Sequence, residues 1–269
     1  MIAIIGGGRM GRGLAAALGD AGERVSVWSR REATGPLFAA VEGARTVLLA
    51  VRDDAIPEVA ADLARLHAIE RDQIVLHLSG LRDSAALGAL KDTGAALGSM
   101  HPLQTIGETE GAAERLRGAY AVVEGDPRAV AEGERLARLL GLEPVRIPGP
   151  AKAAYHAAAV MASNYVVALA WVASRVAEAV GIAHADAVRM YLPLVRGAAS
   201  ALSEVSPEEA LTGPVRRGDV ATVRAHLEAL GPSDRSLYAR LGLETLALAR
   251  RAGLERSQAE EIERLLKDY

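Results

Sequence analysis

The stretch IIGGGRMGRGLAAAL, residues 4–18, joins a short β-branched run to the start of a helical pattern. Gly6, Gly8 and Gly11 have the G-x-G-x-x-G spacing that, between a strand and a helix, is typical of dinucleotide binding. Gly6 would permit a tight turn, Gly8 the close approach of a pyrophosphate, and Gly11 the close packing of helix on strand. A plain tight turn is the alternative, but the position at the first strand–helix junction favours a nucleotide site.

The end of the second predicted strand indicates which nucleotide the site would take. NAD sites usually have an acidic residue about 20 residues after the glycines. Here the strand ends in Ser29-Arg30-Arg31, and arginine binds a 2′-phosphate through paired hydrogen bonds. Glu32 leaves a solvated basic turn as the alternative. We therefore expect NADP(H). The residues expected to bind it are Gly6, Gly8, Arg9, Met10, Gly11, Ser29, Arg30, Val51 and Ser79.

Apolar runs alternate with helical patterns through the first half of the chain. Such alternation predicts an α/β domain with a mainly parallel sheet that helices cover on both faces. Proline and glycine residues at positions 144–150 end the pattern, and helix signals follow. We expect a dinucleotide-binding domain over residues 1–148 and an all-helical domain over residues 149–269. The strand candidates are residues 2–5, 24–28, 45–51, 73–78, 95–100, 119–125 and 143–147.

Charge and cysteine content exclude several functions. The chain has 269 residues, no cysteine and a formal net charge of −3. This charge provides no basic field to attract nucleic acid, and disulfides, thiolate nucleophiles and Cys-based zinc sites are excluded. The histidines lack the paired spacing of a metal site, so we expect no metal. Because the first strand starts at Ile2, we expect no signal peptide and a cytoplasmic protein.

Between Lys152 and Arg175 no residue carries a formal charge at neutral pH. The run is about as long as a membrane span needs, and a span is the alternative interpretation. However, the run is mostly alanine, includes His156, Ser163 and Asn164, and lacks flanking basic anchors. We interpret it as a helix buried on all sides, within a helical domain or at a homodimer interface, and we expect no membrane partner.

Polar residues lie near the ends of the predicted strands, where ligands collect in an open parallel sheet. His77 and Ser79-Gly80 end the fourth strand, and His101 follows the fifth. His156 lies in the uncharged run. We expect His101 and His156 to bind a substrate and deliver a proton to it.

If residues 152–175 form one helix, Lys152, His156 and Ser163 share one face and Asn164 lies beside it. Their ammonium, imidazole, hydroxyl and amide groups could then bind and protonate a carbonyl oxygen or an imine nitrogen. The alternative is that these polar groups satisfy one another and the backbone. The candidate catalytic residues are therefore His101, His156, Asn164, Lys152 and Ser163.

The second half of the chain contains recognisable helix signals. Ser206 and Ser257 each precede a glutamate by three residues, which is the spacing of a capping box. Asp219 is expected to cap another helix. Pro193 lies inside a helical pattern and should kink or divide that helix.

Arg216 and Arg217 follow a Thr-Gly-Pro turn that would orient their side chains. A substrate carboxylate would suit such a guanidinium. A solvated basic turn is the alternative, and the sequence leaves both open.

Six motifs together resemble a bacterial family provisionally named as NADP oxidoreductases: GGGRMGRGLA, VRDDAIPEVA, LHLSG, MHPLQT, YHAAAVMASNY and LTGPVRRGD. The resemblance covers nearly the whole chain. It implies a Rossmann-like N-terminal domain and a C-terminal helical domain of unknown function. It also implies a fold similar to pyrroline-5-carboxylate reductase, ketopantoate reductase and 6-phosphogluconate dehydrogenase. In that superfamily the helical domain commonly builds a dimer, and the active site lies between the domains. Arg52 stands where the family has proline, in a loop expected near the nicotinamide.

These observations predict an NADPH-dependent reductase of a small carboxylate-bearing ketone or imine. By analogy of fold, a 2-oxo acid such as ketopantoate is the first substrate expected and a cyclic imine such as pyrroline-5-carboxylate the second. We expect a homodimer that forms through the helical domain. The alternative is a non-catalytic NADP(H)-binding sensor or scaffold. Polar motifs at strand ends and at the domain junction favour the enzyme, because a sensor would not need them.

Overall fold

The computed structural model describes residues 1–32, 35–104 and 112–269. The chain forms two compact units, Met1–Met161 and Ala162–Tyr269. The predicted domain boundary, after residue 148, lies before the end of the first unit and close to the end of the last strand. The helix that follows belongs to the first unit because its Lys152 side chain is hydrogen-bonded inside the sheet domain.

The first unit is built on a seven-stranded sheet in the order β2-β1-β3-β4-β5-β6-β7. Neighbouring strands are parallel except β5 and β6, which are antiparallel. Each predicted strand is confirmed, and so is the α/β class. The strands are β1 (Ile2–Ile5), β2 (Val25–Trp28), β3 (Thr46–Leu49), β4 (Ile74–His77), β5 (Ala96–Leu103), β6 (Tyr120–Gly125) and β7 (Glu143–Arg146).

Helices cover both faces of this sheet, as expected when the central strands are apolar on both sides. Alternate residues of β1 point to opposite faces. Ile2 and Ile4 join one buried cluster, and Ala3 and Ile5 join the other. The helices are α1 (Arg9–Asp20), α2 (Leu37–Val41), α3 (Ile56–Arg65), α4 (Ala112–Leu116), α5 (Pro127–Leu139) and α6 (Lys152–Ala162), with 3-10 helices at Ser84–Thr93 and Gly149–Ala151.

The second unit is helical, which confirms the predicted C-terminal class. Its buried core comes from the later helices and includes Val223, Leu246 and Ile262. The helices are α7 (Asn164–Glu178), α8 (His184–Glu204), α9 (Pro207–Ala210), α10 (Pro214–Arg217), α11 (Val220–Ala229), α12 (Pro232–Arg251) and α13 (Arg256–Lys267).

Two helix-cap predictions are confirmed and one is wrong. Ser206 forms the expected capping box at α9, and Asp219 caps α11 by accepting from the Thr222 amide. At α13 the cap is Glu255, whose carboxylate accepts from the amides of Ser257 and Gln258. Helix α13 therefore begins at Arg256, one residue before Ser257, so Ser257 lies inside the helix and not at its cap. Helix α8 runs undivided through Pro193, and the predicted kink there stays a prediction.

The uncharged run is two helices, because the chain leaves helical geometry at Ser163 with φ −121° and ψ −73°. Among the described residues, the segment Gly149–Glu178, which includes both helices, is by length and composition apolar enough to cross a membrane. Only 6% of its most apolar window is buried. The prediction of burial on all sides is therefore wrong for the single chain: Val167 is 71% exposed and Trp171 53% exposed.

Candidate functional site

The glycine loop packs tightly against the sheet at two positions and is open at a third. Gly6 has φ +126°, and a Cβ there would collide with the carbonyl oxygen of Ala50. A Cβ at Gly11 would collide with the carbonyl oxygen of Gly6. Around Gly8, by contrast, a Cβ would meet no described atom within 4 Å. The loop therefore has the shape that the motif predicts, with space where a phosphate would approach.

Helix α1 presents its N-terminus at this opening. Gly8 is the N-cap, and among the described residues no side chain caps the helix and no acidic residue lies in its first turn. Free amide groups and the helix dipole therefore favour an anion there. A cleft of about 530 Å³ adjoins the loop, and its lining includes Ser29, Arg30, Val51 and Arg52. Of the other predicted cofactor residues, Arg9 is exposed, whereas the Met10 side chain packs against the core.

Glu32, Arg30 and Glu58 line this cleft, and Arg12 lies beside it and pairs with Glu32. Arg12 donates through Nε to the carbonyl oxygen of Gly7 (2.8 Å) and through Nη2 to the carboxylate of Glu32 (2.5 Å). Arg30 lies 3.3 Å from Glu58. Arg12 was not among the predicted cofactor residues, although its position one helical turn after Gly8 indicates that it faces the loop. A carboxylate thus lies beside Ser29, held by a guanidinium.

His77 shapes the next loop from inside the protein. Its side chain is fully buried, with Nε2 2.9 Å from the carbonyl oxygen of Asp83. Burial lowers the pKa of His77 to about 4, so the ring is neutral. Its Nδ1 then accepts from the Ser79 amide at 3.3 Å. The Ser79 hydroxyl accepts from the amides of Leu81 and Arg82 and so stabilises this loop. Its predicted contact with a cofactor stays a prediction.

Lys152 lies beneath this loop in a buried polar network. Its Nζ donates to the carbonyl oxygen of Ser79 (2.6 Å) and to the hydroxyl of Ser99 (2.6 Å). That hydroxyl donates in turn to Glu124 (2.7 Å), which also accepts from Ser84 (3.0 Å). Lys152 is 0% exposed, and burial lowers its pKa to about 8. The ammonium thus supports the site from within and does not face solvent.

His101 and His156 converge on Gly80, and Tyr155 contacts His101. A Cβ at Gly80 would lie 2.6 Å from Nδ1 of His156 and 2.9 Å from Nε2 of His101, so only glycine leaves room for both rings. His101 Nδ1 is 2.9 Å from the Tyr155 hydroxyl. The two imidazole centroids are 5.9 Å apart at 83°. Nδ1 of His156 is buried and has no hydrogen-bond partner among the described residues. Such an atom is typical of a group that binds a ligand or a water molecule.

Burial controls protonation in this cluster. It lowers the pKa of His101 to about 4, helped by the charges of Lys152 and His156. It raises the pKa of Tyr155 to about 12. At neutral pH the cluster is therefore a neutral imidazole beside an intact phenol.

His101 was predicted to follow the fifth strand. Instead, β5 continues to Leu103, and His101 within it pairs with Val122 on β6. The antiparallel partner extends the strand, which a single apolar run cannot reveal. Tyr155 lay in a quoted motif, yet nothing in its spacing from His101 signals their contact.

Ser163 and Asn164 begin α7, and Arg216 and Arg217 end α10, all in the second unit. Their predicted roles stay predictions. Among the described residues, no group of three or more ligating side chains could hold a metal.

Residues 119–245 match a family model described as a domain of unknown function, DUF2520. No curated protein matches the chain. Among solved structures, the chain is similar to protein TM1727 from Thermotoga maritima, with 25% identity and a TM-score of 0.72, over 93% of this chain and 99% of that one.

Two further structures are similar in fold. The protein from Bacteroides fragilis provisionally named NADP oxidoreductase BF3122 has 22% identity and a TM-score of 0.69, over 91% of this chain and 96% of that one. The pyrroline carboxylate reductase of Plasmodium falciparum, solved with NADP bound, has 10% identity and a TM-score of 0.57, over 98% and 97%. Residues 119–245 thus match the DUF2520 model, and the chain has a fold consistent with a Rossmann-like NADP oxidoreductase family, which confirms the resemblance that its motifs predicted.

Proposed function

We propose that this protein is an NADPH-dependent reductase of a small carboxylate-bearing ketone or imine. The observation that carries the proposal is the buried, unpartnered Nδ1 of His156, which meets His101 at Gly80. These groups lie near the ends of β4 and β5, at the same sheet edge as the glycine loop after β1. A dinucleotide cleft and open proton-carrying groups on one edge are the combination that a reductase needs.

The residues present fit a nicotinamide dinucleotide. The open space at Gly8 and the uncapped N-terminus of α1 suit a pyrophosphate. Ser29, Arg30 and Arg31 line the cleft where a 2′-phosphate would need donors. The similar fold of a reductase solved with NADP also favours this cofactor. When bound, the nicotinamide supplies the hydride; the chain's own residues bind, orient and protonate.

The histidine cluster consists of His77, His101, Lys152, Tyr155 and His156, and three of these residues have a proposed task. His101 and His156 hold the polar atom of the substrate and supply its proton. Lys152 holds the Ser79 carbonyl and α6 in place, so that both rings reach Gly80. Ser163 and Asn164 remain candidates for further substrate contacts, and Arg216 or Arg217 for the carboxylate.

For the substrate, a 2-oxo acid such as ketopantoate comes first and a cyclic imine such as pyrroline-5-carboxylate second. The fold that the chain shares with a pyrroline carboxylate reductase supports the imine. A high-pKa phenol behind His101 suits the alkoxide that a ketone would form, because an alkoxide is basic enough to take its proton.

The test begins with parallel titrations of NADPH and NADH, followed by nicotinamide fluorescence. We expect tighter binding of NADPH, and its oxidation by a member of a panel of 2-oxo acids and cyclic imines. Tight binding without turnover by any member would instead favour the sensor or scaffold. Binding of neither nucleotide would overturn the proposal, because the glycine loop would then serve the fold alone.

We also propose that a second copy of the chain covers the exposed faces of α7 and α8. Val167 on α7, Val180 just after α7 and Leu194 on α8 are 71%, 76% and 68% exposed, and exposed apolar patches are typical of protein–protein interaction sites. The first turns of the apolar run are tied to the sheet by Lys152, which favours a dimer over a membrane span. We place this dimer in the cytoplasm. Light scattering should give the mass of two chains, and Leu194→Arg should give the mass of one.

A further inference from the structure

His101 and Tyr155 form a hydrogen-bonded pair whose proton positions can be deduced. The Tyr155 oxygen and His101 Nδ1 are 2.9 Å apart, and the rings meet edge to face with centroids 5.8 Å apart at 79°. Tyr155 comes from α6 and His101 from β5, so the pair links the helix to the sheet edge. The other nitrogen of His101, Nε2, faces Gly80 and the site.

Two arrangements of the protons are conceivable. In one, Nδ1 carries the proton and donates to the phenol oxygen; in the other, the phenol donates to Nδ1. The first leaves the phenol proton of a partly buried tyrosine without an acceptor among the described residues. The second pairs the phenol, which is a stronger hydrogen-bond donor than a neutral imidazole N–H, with an imidazole nitrogen, which is a stronger acceptor than a phenol oxygen. It is therefore the favoured arrangement, and it leaves the imidazole proton on Nε2, which faces Gly80.

We propose that Tyr155 is a positioning residue that holds His101 in its Nε2–H tautomer, so that His101 donates its proton at Gly80. The inference rests on the proposed reductase function for the identity of the acceptor, but not for the tautomer. His156 complements this donor, because its buried Nδ1 faces the same point.

The proton balance follows from this tautomer. As hydride reaches the substrate carbon, the electron pair of the C=O or C=N bond moves to oxygen or nitrogen. That atom takes the proton from Nε2 of His101, and the phenol proton of Tyr155 passes to Nδ1. The ring ends neutral and Tyr155 ends as a phenolate. Nδ1 then returns its proton to the phenolate while Nε2 takes a proton from solvent, which restores the starting tautomer. Burial raises the pKa of Tyr155 to about 12, so the phenol carries its proton at neutral pH before the reaction starts.

Nitrogen-15 spectra of the histidine-labelled, cofactor-free protein test the tautomer directly, because protonated and unprotonated ring nitrogens have well-separated shifts. His101→Asn identifies the signals of His101. We expect Nε2 protonated and Nδ1 unprotonated at pH 7 in the unaltered protein. In Tyr155→Phe we expect a mixture of tautomers. Tyr120→Phe, which alters an exposed tyrosine on β6, should leave the spectrum unchanged.

A proton on Nδ1 of His101 in the unaltered protein would overturn the proposal, whether or not the Tyr155 variant folds. So would an unchanged His101 spectrum in a folded Tyr155→Phe. With a substrate found, Tyr155→Phe should lower kcat about 10–100-fold with little change in KM, and an unchanged kcat would overturn the positioning role. Failure to find any substrate would count against the reductase alone, since the tautomer is measured without turnover.

Discussion

The glycine-loop cleft and the histidine cluster lie at the same sheet edge, but their polar side chains differ in solvent exposure. In the cleft the ion pairs are exposed: the side chains of Arg12 and Glu32 are 49% and 62% exposed. In the histidine cluster Lys152 and His77 are fully buried. Exposed pairs contribute little to stability and can exchange partners, whereas buried polar networks hold one arrangement and are costly to break. The cleft is thus suited to selecting a ligand, and the cluster to holding protonation states.

The largest effect is expected from Lys152→Met, which leaves the Ser79 carbonyl and the Ser99–Glu124 pair without their buried cation. Removing one partner of a buried ionic network typically costs about 3–5 kcal/mol. We expect a loss of that order in the free energy of unfolding, measured by urea denaturation. Lys91→Met, at an exposed lysine, should cost almost nothing. Equal losses in the two variants would refute the contrast between the regions.

His156→Ala should remove a proton-carrying group without touching the cleft. General acid–base groups contribute at least about 100-fold to rate, so kcat should fall by about that factor once a substrate is known. The affinity for NADPH, measured by fluorescence titration, should change by less than about twofold. A large loss of NADPH affinity would remove His156 from its proposed role.

Acid should destabilise the cluster more than the cleft. His77 and His101 have pKa values of about 4 in the folded chain, below the ordinary 6.5. The unfolded chain therefore binds their protons first as the pH falls, and stability is lost between pH 6.5 and pH 4. At pH 5 the loss is about 2 kcal/mol for each histidine. Urea denaturation of His101→Gln between pH 5 and 8 should show a shallower dependence. His67→Asn, at an exposed histidine, should keep the full dependence.

The smallest effect concerns cofactor choice in the cleft. Glu32 places a negative charge where a 2′-phosphate would bind, and it occupies Arg12. Glu32→Gln should free that guanidinium and strengthen NADPH binding relative to NADH by about tenfold, or about 1.4 kcal/mol. Asp62→Asn, which removes an acidic partner of Arg65 on α3, should leave the ratio unchanged. An unchanged ratio in Glu32→Gln would mean that Glu32 takes no part in discrimination.

Local chemistry explains why so much of the fold could be predicted. The central strands β1, β3 and β4 are short β-branched and apolar runs, and this composition predicts their burial on both faces of the sheet. The glycine loop is equally local, because Gly6 and Gly11 are required by backbone contacts within the first strand–helix junction. The capping box at Ser206 depends on a residue three positions away. Glu255 was missed because glutamate, unlike aspartate or serine, is not among the preferred N-cap residues.

The histidine cluster shows where sequence reasoning stops. The strand pattern placed His101 at the sheet edge, and helical spacing placed His156 on one face with Lys152. Neither could identify Tyr155 as the partner of His101, because these two residues lie 54 positions apart. It likewise selected Lys152 as a reacting group, whereas the structure holds its side chain in a buried network with Ser99 and Glu124. Burial and pKa depend on all the neighbours of a group, and these come from different strands and helices.

By itself, the sequence determined the α/β class, the order of strands along the chain, the dinucleotide loop and the helical second half, since each depends on periodicity or on contacts between near neighbours. Only the tertiary structure decided the antiparallel β5–β6 pair, the convergence of two imidazoles on Gly80, the Arg12–Glu32 pair and the exposed apolar faces of α7 and α8. These features join residues that are distant in sequence, so no local pattern encodes them.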